Sequence, residues 1–309
     1  MTRPALIRAA TRSSPLARWQ TEHVARLLAS AHRGLVVEPI FVETLGDRTQ
    51  AIGTPLHQLG GQGVFVKEVQ AAVLRGGADI AVHSAKDLTS TTAEGLVLAA
   101  VPARGDVRDL LVGATLVTLR VGARVGSSSV RRVAQLRAVR PDLTFVSIRG
   151  NVGTRVARVG ELDAVVVAAA GVERLGLIES LAAHHVLEWL PIEVMLPMVA
   201  QGALAVECRA DDDTCRELLG VLTDPTTMAR VTAERAFLAR LGGGCELPVG
   251  ALAWADGPVL AMDALIAAPD GSRIVRASAR GLVADPVALG STIAEDVLAS
   301  GGRALLDAL

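Results

Sequence analysis

The chain has 309 residues and a net charge of −1, enough length for two or three domains with cores of their own. Hydrophobic residues make up 50%, mostly Ala, Val and Leu, while aromatics are 2% with no Tyr; the stacking surfaces that hold single-stranded nucleic acid are scarce, which makes nucleic acid a poor ligand. No apolar run spans a bilayer, the N-terminal residues lack the apolar core of a signal peptide, and Cys208, Cys215 and Cys245 form no CxxC and no even set, so a disulfide framework and a metal site are not expected and a reducing cytoplasm is.

Leu6–Ala10 reads as a first strand, followed by Thr11-Arg12-Ser13-Ser14-Pro15. Ser14 is a good helix N-cap and Pro15 a good first helical residue; the helix stops at Gly34. Capping explains Ser14 and Pro15 but not Arg12, because first helical turns favour acids. This strand-to-helix turn is therefore a candidate anion site. Leu35–Thr44 is a second strand, Gly46 to Gly63 a long glycine-rich loop, and FVKEVQAAVL a helix closed by Gly76 or Gly77. Asp79–Val82 is a short buried strand. Beyond its carboxyl end, where open α/β sheets bind ligands, lie His83, Lys86 and Asp87. Lys86 beside Asp87 offers an acid–base group next to a cation that lowers its pKa; an ordinary Asp helix cap fits the spacing equally well. His83 has no second ligand at helical spacing and reads as a satisfied histidine near the sheet edge.

Leu96–Val101 and Asp109–Val112 are strands. A second α/β unit comes next: strand Ala123–Val125, helix Val130–Val139, strand Leu143–Ile148, helix Val152–Val159 and strand Ala164–Ala168, with Arg174 beyond it. Strands alternating with helices predict mostly parallel sheets covered on both faces. From Arg124 to Arg158 every cation is Arg, eight of them against the single acid Asp142. Guanidinium forks pair two-pronged with carboxylate or phosphate. Two turns, at residues 126–129 and 150–153, open helices whose free N–H groups favour anions. A charge run is more often a solvated helix face, but Arg131 and Arg132 follow a serine turn and Arg149 ends the apolar run LTFVSI. The stretch is read as a site for a ligand with many negative groups, and the two lobes as walls of a cleft lined by such sites.

Residues 184–198 read as irregular, with Pro191 and Pro197. ALAVECR is a strand with Cys208 facing a core, Asp211–Leu222 an acid-capped helix bearing Cys215, and Pro225–Leu241 a further helix. Strands near Val249–Trp254, Val259–Ala268 and Ile274–Gly281 and a helix near Pro286–Leu298 point to a small separate α+β domain. Cys245 follows three glycines and precedes ELPVG. It is an uncrowded thiol on a turn; a reactive role needs thiolate character, and a small residue packed in a tight turn is the plainer reading.

Seven segments in order, ATRSSPLARWQ, GVFVKEVQAAVLRGGADIAVHSAKDL, GSSSVRRVAQLRAVRPDL, SIRGNVGTRV, AAGVERLGL, QGALAVECRADD and AERAFLARLGGGCELPVG, resemble the porphobilinogen deaminase (hydroxymethylbilane synthase) family over nearly the whole chain. The resemblance implies an α/β fold of three domains: two periplasmic-binding-protein-like, doubly wound lobes (1–103 with 200–222, and 104–199) and a small C-terminal α+β domain (223–309) that carries the cysteine loop. It implies head-to-tail condensation of four porphobilinogens, with release of ammonia at each, onto a dipyrromethane cofactor held by a thioether, and then hydrolytic release of the linear tetrapyrrole. Cys245 matches the attachment cysteine and Asp87 the catalytic aspartate, whose carboxylate stabilises developing positive charge. Arg12, Lys86, Arg149 and Arg155 match positions that assist the chemistry. Ser129, Arg131 and Arg132, with Lys86 and Asp87, match cofactor-binding positions; Arg12, Ser14, Arg149, Arg155 and Arg174 match substrate carboxylate positions. The resemblance further implies a cytoplasmic monomer that hands its product to uroporphyrinogen-III synthase. One departure stands out. The loop before GVFVKE commonly carries lysines, and here it reads PLHQLGGQG, with Gln58 and Gln62, which donate hydrogen bonds but no charge. Two other readings compete. A non-enzymatic two-lobe module for a small polyanion explains the arginines but predicts neither GGGCELPVG nor a third domain. A cysteine-nucleophile enzyme using Cys245 has no evident base in the sequence.

Overall fold

The computed structural model describes residues 6–51, 63–243 and 247–309. Its packing separates two units, Met1–Arg104 with Ala203–Met228 and Gly105–Gly202 with Ala229–Leu309.

In the first unit the chain forms β1 (Leu6–Thr11), α1 (Pro15–Ala31), β2 (Val36–Phe41), α2 (Leu45–Ala51), α3 (Lys67–Leu74), β3 (Ile80–Ser84) and β4 (Leu96–Ala100). It returns after the second unit as β10 (Leu204–Arg209) and α8 (Asp213–Gly220). The sheet order is β2-β1-β3-β10-β4. β1 pairs parallel with β2 and β3, while β10 runs antiparallel to both β3 and β4. β10 enters as a returning segment, so no crossover helix has to turn it parallel to its neighbours. α1 buries Ala17, Gln20, Thr21, Val24 and Leu28, the three-and-four spacing of one helix face. Ser14 caps it by accepting from the Ala17 N–H at 3.4 Å, and Pro15 occupies its first turn. Cys208 and Cys215 both lie in the core of this unit.

The second unit repeats the plan. Its elements are β5 (Asp109–Val112), β6 (Arg124–Gly126), α4 (Val130–Val139), β7 (Thr144–Val146), α5 (Val152–Val156), β8 (Ala164–Ala168), α6 (Ala169–Arg174), α7 (Ile178–Ala182) and β9 (Leu187–Trp189). The order is β7-β6-β8-β5-β9, with β6 parallel to β7 and β8, and β5 antiparallel to β8 and β9. β9 falls within the stretch expected to be irregular; at three residues it is held by pairing with β5, as Leu110 with Trp189, and not by any period of its own. After α9 (Pro225–Arg240) comes an antiparallel sheet, β11 (Val249–Asp256), β12 (Val259–Ala267) and β13 (Ile274–Leu282), backed by α10 (Pro286–Val297) and followed by α11 (Arg303–Leu306). Ala134 on α4 packs with Leu196, Leu252, Leu265 and Ala267. Gly271, at φ +75°, lets the β12–β13 turn approach α4, since a Cβ there would sit 2.8 Å from the Ala134 carbonyl. The architecture is mixed α/β, two five-stranded sheets and a small C-terminal sheet, as the fold class expected; the two large sheets are mixed and not mostly parallel, because β10 and β5 each run antiparallel to both neighbours.

Candidate active site

β1 and β3 are parallel neighbours, with Ala10 opposite Ala81, so the segments that leave the two strands emerge at the same sheet edge. Arg12 and Ser14 come after β1. Ser84 and a 3₁₀ turn, Ala85–Asp87, close β3. These come together in one pocket lined by Arg12, Ser14, Gln20, Phe65, Ser84 and Asp87 among others. The Ala85 N–H donates to the Ala203 carbonyl at 3.0 Å, which anchors the turn to the start of β10. Gln20 Nε2 donates to Ser84 Oγ at 2.7 Å. Three of the residues expected from sequence, Arg12, Ser14 and Asp87, thus share a site; Lys86 sits on the same turn but does not line the pocket. His83 is buried with its Nε2 3.2 Å from Glu207 Oε2, a contact without hydrogen-bond geometry, and Glu207 accepts from Gln70. Gln20, Phe65 and Ser84 were not expected. Gln20 and Ser84 had a readable signal: one lies a turn into the helix capped by Ser14, the other next to the His83–Asp87 stretch.

Arg12 does not stand alone. Its Nε donates to Asp47 Oδ1 and Oδ2 at 3.2 and 3.1 Å, and its guanidinium carbon lies 4.2 Å from the Phe65 ring centroid. Burial pushes the Asp47 carboxyl up, but hydrogen bonds from Arg12 and Thr44 outweigh it and hold the group below the usual carboxylate range.

In the second unit Ser129 caps α4, accepting from the Arg132 N–H at 3.4 Å. The two arginines after it turn inward. Arg131 is 2% exposed; its Nη2 donates to Asp109 Oδ2 at 2.8 Å and its Nη1 to the Leu196 carbonyl at 2.7 Å. Arg132 Nε donates to Asp109 Oδ1 at 2.9 Å and its Nη1 to the Val166 carbonyl at 3.0 Å. Gln201 Nε2 also donates to Asp109, at 3.1 Å. Burial raises the Asp109 pKa, and the two arginines outweigh it, so the carboxyl is held well below its usual range. Burial, helped by the like charge of Arg132, draws Arg131 down against the pull of Asp109. Asp109 was not expected as a partner; it lies 22 residues before Arg131.

Arg149 comes after β7 and is half-buried, and its Nη1 is buried with no hydrogen-bond partner among the described residues. Such an orphaned cationic donor fits an anionic group of a ligand. Arg155, at the end of α5, donates from Nε to the Gly150 carbonyl at 2.7 Å. Arg174 ends α6 and donates from Nη2 to the Gly202 carbonyl; burial lowers its pKa to about 10, partly offset by Glu173, so it is a cation at neutral pH. Cys245, Gln58 and Gln62 lie outside the described residues.

Residues 7–217 match the family described as "Porphobilinogen deaminase, dipyromethane cofactor binding domain", and residues 228–299 match "Porphobilinogen deaminase, C-terminal domain". The chain belongs to the porphobilinogen deaminase family. It is 49% identical over 301 residues to the porphobilinogen deaminases of Roseiflexus sp. (strain RS-1) and Roseiflexus castenholzii (strain DSM 13941 / HLO8), covering 96% of this chain and 97% of each relative. Among solved structures, the periplasmic aliphatic sulphonate binding protein SsuA from Escherichia coli is similar at 12% identity and a TM-score of 0.39, over 77% of this chain and 71% of that one. As a porphobilinogen deaminase the chain is a transferase of tetrapyrrole biosynthesis with a dipyrromethane cofactor. The C-terminal match has no place in a two-lobe binding module. No helix among the described residues is long and apolar enough to cross a membrane.

Proposed function

We propose that the pocket at the ends of β1 and β3 is where porphobilinogen reacts, with Arg12 and Ser14 holding a substrate carboxylate and Asp87 serving as the catalytic carboxylate. The observation that carries this reading is the convergence of Arg12, Ser14 and Asp87 on one sheet edge. Porphobilinogen brings two carboxylates, an amine that leaves as ammonia, and a pyrrole nitrogen that becomes more positive as the amine departs. A fixed carboxylate facing that nitrogen lowers the barrier electrostatically. A guanidinium and a helix-capping hydroxyl hold the side-chain carboxylate in place, so that the reacting carbon is presented in one orientation. Lys86 contributes a cation on the same turn. Arg149, Arg155 and Arg174 take further carboxylates, and the unpartnered Nη1 of Arg149 supports this assignment most directly.

Cys245 carries the dipyrromethane through a thioether, Ser129, Arg131, Arg132 and Lys86 serve its carboxylates, and Asp87 accepts from its pyrrole N–H groups. When bound, the dipyrromethane supplies the pyrrole carbon to which the first incoming unit is joined. Arg131 and Arg132 serve it with their positive charge and by keeping the Ser129 end of α4 in place through Asp109 and the Leu196 and Val166 carbonyls. Four units are joined, four ammonia molecules leave, and water frees the linear tetrapyrrole. The family likeness supports a division into residues 1–103 with 200–222, 104–199 and 223–309, and a cytoplasmic monomer that passes its product to uroporphyrinogen-III synthase.

The test is the intact mass of the purified protein beside a Cys245→Ala variant. The expected wild-type excess equals two pyrrole units and is absent, with the activity, from the variant. A wild-type mass that stays unmodified after incubation with porphobilinogen would overturn the assignment of Cys245 and the polymerising reaction with it.

A further inference from the structure

Asp47 is neither a residue that the family likeness brought forward nor one that lines the pocket, yet it makes the closest contact to Arg12. It approaches from α2. Thr44 precedes that helix and Asp47 is its third residue, and the two side chains are bonded reciprocally. The Thr44 N–H and Oγ1 donate to Asp47 Oδ2 at 3.2 and 2.7 Å, and the Asp47 N–H donates to Thr44 Oγ1 at 3.3 Å. This is the capping-box arrangement, which satisfies orphan donors at a helix start and fixes both side chains. Thr44 is fully buried. The carboxylate is therefore tied to the backbone before it meets Arg12.

A guanidinium has two usable edges. The side edge offers Nε and one Nη2 hydrogen; the end edge offers Nη1 and the other Nη2 hydrogen. Asp47 takes the side edge, with Nε donating to both oxygens and Nη2 to Oδ1. Phe65 covers one face of the plane. Gly46 lets the ring come that near, because a Cβ at this position would lie 2.1 Å from Phe65 Cε1. Among the described residues, what remains is the end edge, in the orientation that a second carboxylate needs for two-pronged pairing.

We infer that Asp47 is a positioning residue for the known reaction: it fixes the guanidinium of Arg12 by its side edge so that the end edge is presented to a carboxylate of porphobilinogen. The inference rests on the proposed role of Arg12 as a substrate ligand. It makes Thr44, Gly46, Asp47 and Phe65 one device, whose sequence signal is a capping Thr with Gly-Asp two and three residues later. The carboxylate is held in its charged form below the usual range, so the device is in force throughout neutral assay conditions.

The test uses holoenzyme, verified by intact mass, of Asp47→Asn, Asp47→Glu, Arg12→Gln and the Arg12→Gln/Asp47→Asn double variant, with KM and kcat for porphobilinogen and thermal melts. A charge-assisted hydrogen bond sets the scale: Asp47→Asn is expected to raise KM about tenfold with kcat within about threefold and the melt nearly unchanged. Asp47→Glu is expected to recover part of the loss. The double variant is expected to match Arg12→Gln alone, because the two residues act as a unit. A KM unchanged or lowered in Asp47→Asn, or an Asp47→Asn effect that adds in full to that of Arg12→Gln, would overturn the inference. Should Asp47→Asn fail to fold, Asp47→Glu decides through the same split of KM from kcat. An Arg12→Gln enzyme with normal KM would remove Arg12 from the substrate site itself, a result distinct from a failure of Asp47 alone.

Discussion

Arg12 in the first unit and the Arg131–Arg132 pair in the second each meet an aspartate, and the two settings differ in what they leave over. Arg12 keeps 21% of its side chain exposed, pairs with one carboxylate by one edge, and lines a pocket. Arg131 and Arg132 share Asp109, which is wholly buried, and give further hydrogen bonds to the Leu196 and Val166 carbonyls. Two cations and one anion in a dry site are held by geometry that must be nearly complete, because each charge lost from water costs several kcal/mol before pairing. Guanidiniums that look alike in sequence thus sit in different settings: that of Arg12 borders a pocket, and those of Arg131 and Arg132 are taken up by the fold.

The largest expected effect separates them. Asp109→Asn removes the shared anion and strands two buried guanidiniums, a change worth about 3–5 kcal/mol and a fall in Tm of roughly 10 °C. Asp47→Asn leaves Arg12 able to turn to water and should cost little stability. Parallel thermal melts of the two variants measure the contrast; equal Tm losses would erase it.

Acid sharpens the same comparison at a smaller scale. Asp109 and Asp47 both have carboxyl pKa values held below the unfolded value. A depressed folded pKa means that the unfolded chain binds the proton first, so the stability each contributes is fully present above the unfolded pKa, near 4, and is lost as pH falls through the folded one. The stability gap between wild type and Asp109→Asn is therefore expected to hold steady from neutral pH to about pH 5 and to close below about pH 4. Equilibrium unfolding across that range checks it. A gap that widens on acidification would mean that the pair is not ionic.

Much of this was legible in the sequence, and the failures have a common form. α4 was expected over Val130–Val139 with Ser129 before it, β5 over Asp109–Val112 and β8 over Ala164–Ala168, and each is found there. In these elements the period, the cap and the burial all agree within a dozen residues. In sequence the segment at α2 looks like loop, because Gly46 and the glycines after it outweigh a capping box whose second member, Asp47, sits three residues past Thr44. AAAGVERLGL suggests no element by its sequence, and it contributes α6. Most telling are the partners. Asp47 lies 35 residues from Arg12, and Asp109 lies 22 and 23 residues from Arg131 and Arg132. Residue type and local spacing identified the cations; only the parallel pairing of strands and the packing of α4 on its sheet decide which carboxylate each one meets.

The smallest effect probes the aromatic side of the Arg12 setting. The Phe65 ring lies against the guanidinium and supplies both an apolar surface and a cation–π attraction, worth about 0.5–1 kcal/mol at a partly exposed site. Phe65→Leu keeps much of the apolar volume and loses the ring. If the ring and Asp47 together aim the end edge of Arg12, this variant should raise KM for porphobilinogen by about two- to fivefold, the same energy expressed as binding, with kcat unchanged and stability within about 1 kcal/mol of wild type. Steady-state kinetics beside a thermal melt reads both. A melt that drops as far as that of Asp109→Asn, with KM untouched, would put the Phe65–Arg12–Asp47 stack in the same class as the buried cluster and leave Ser14 and Asp87 without their cation.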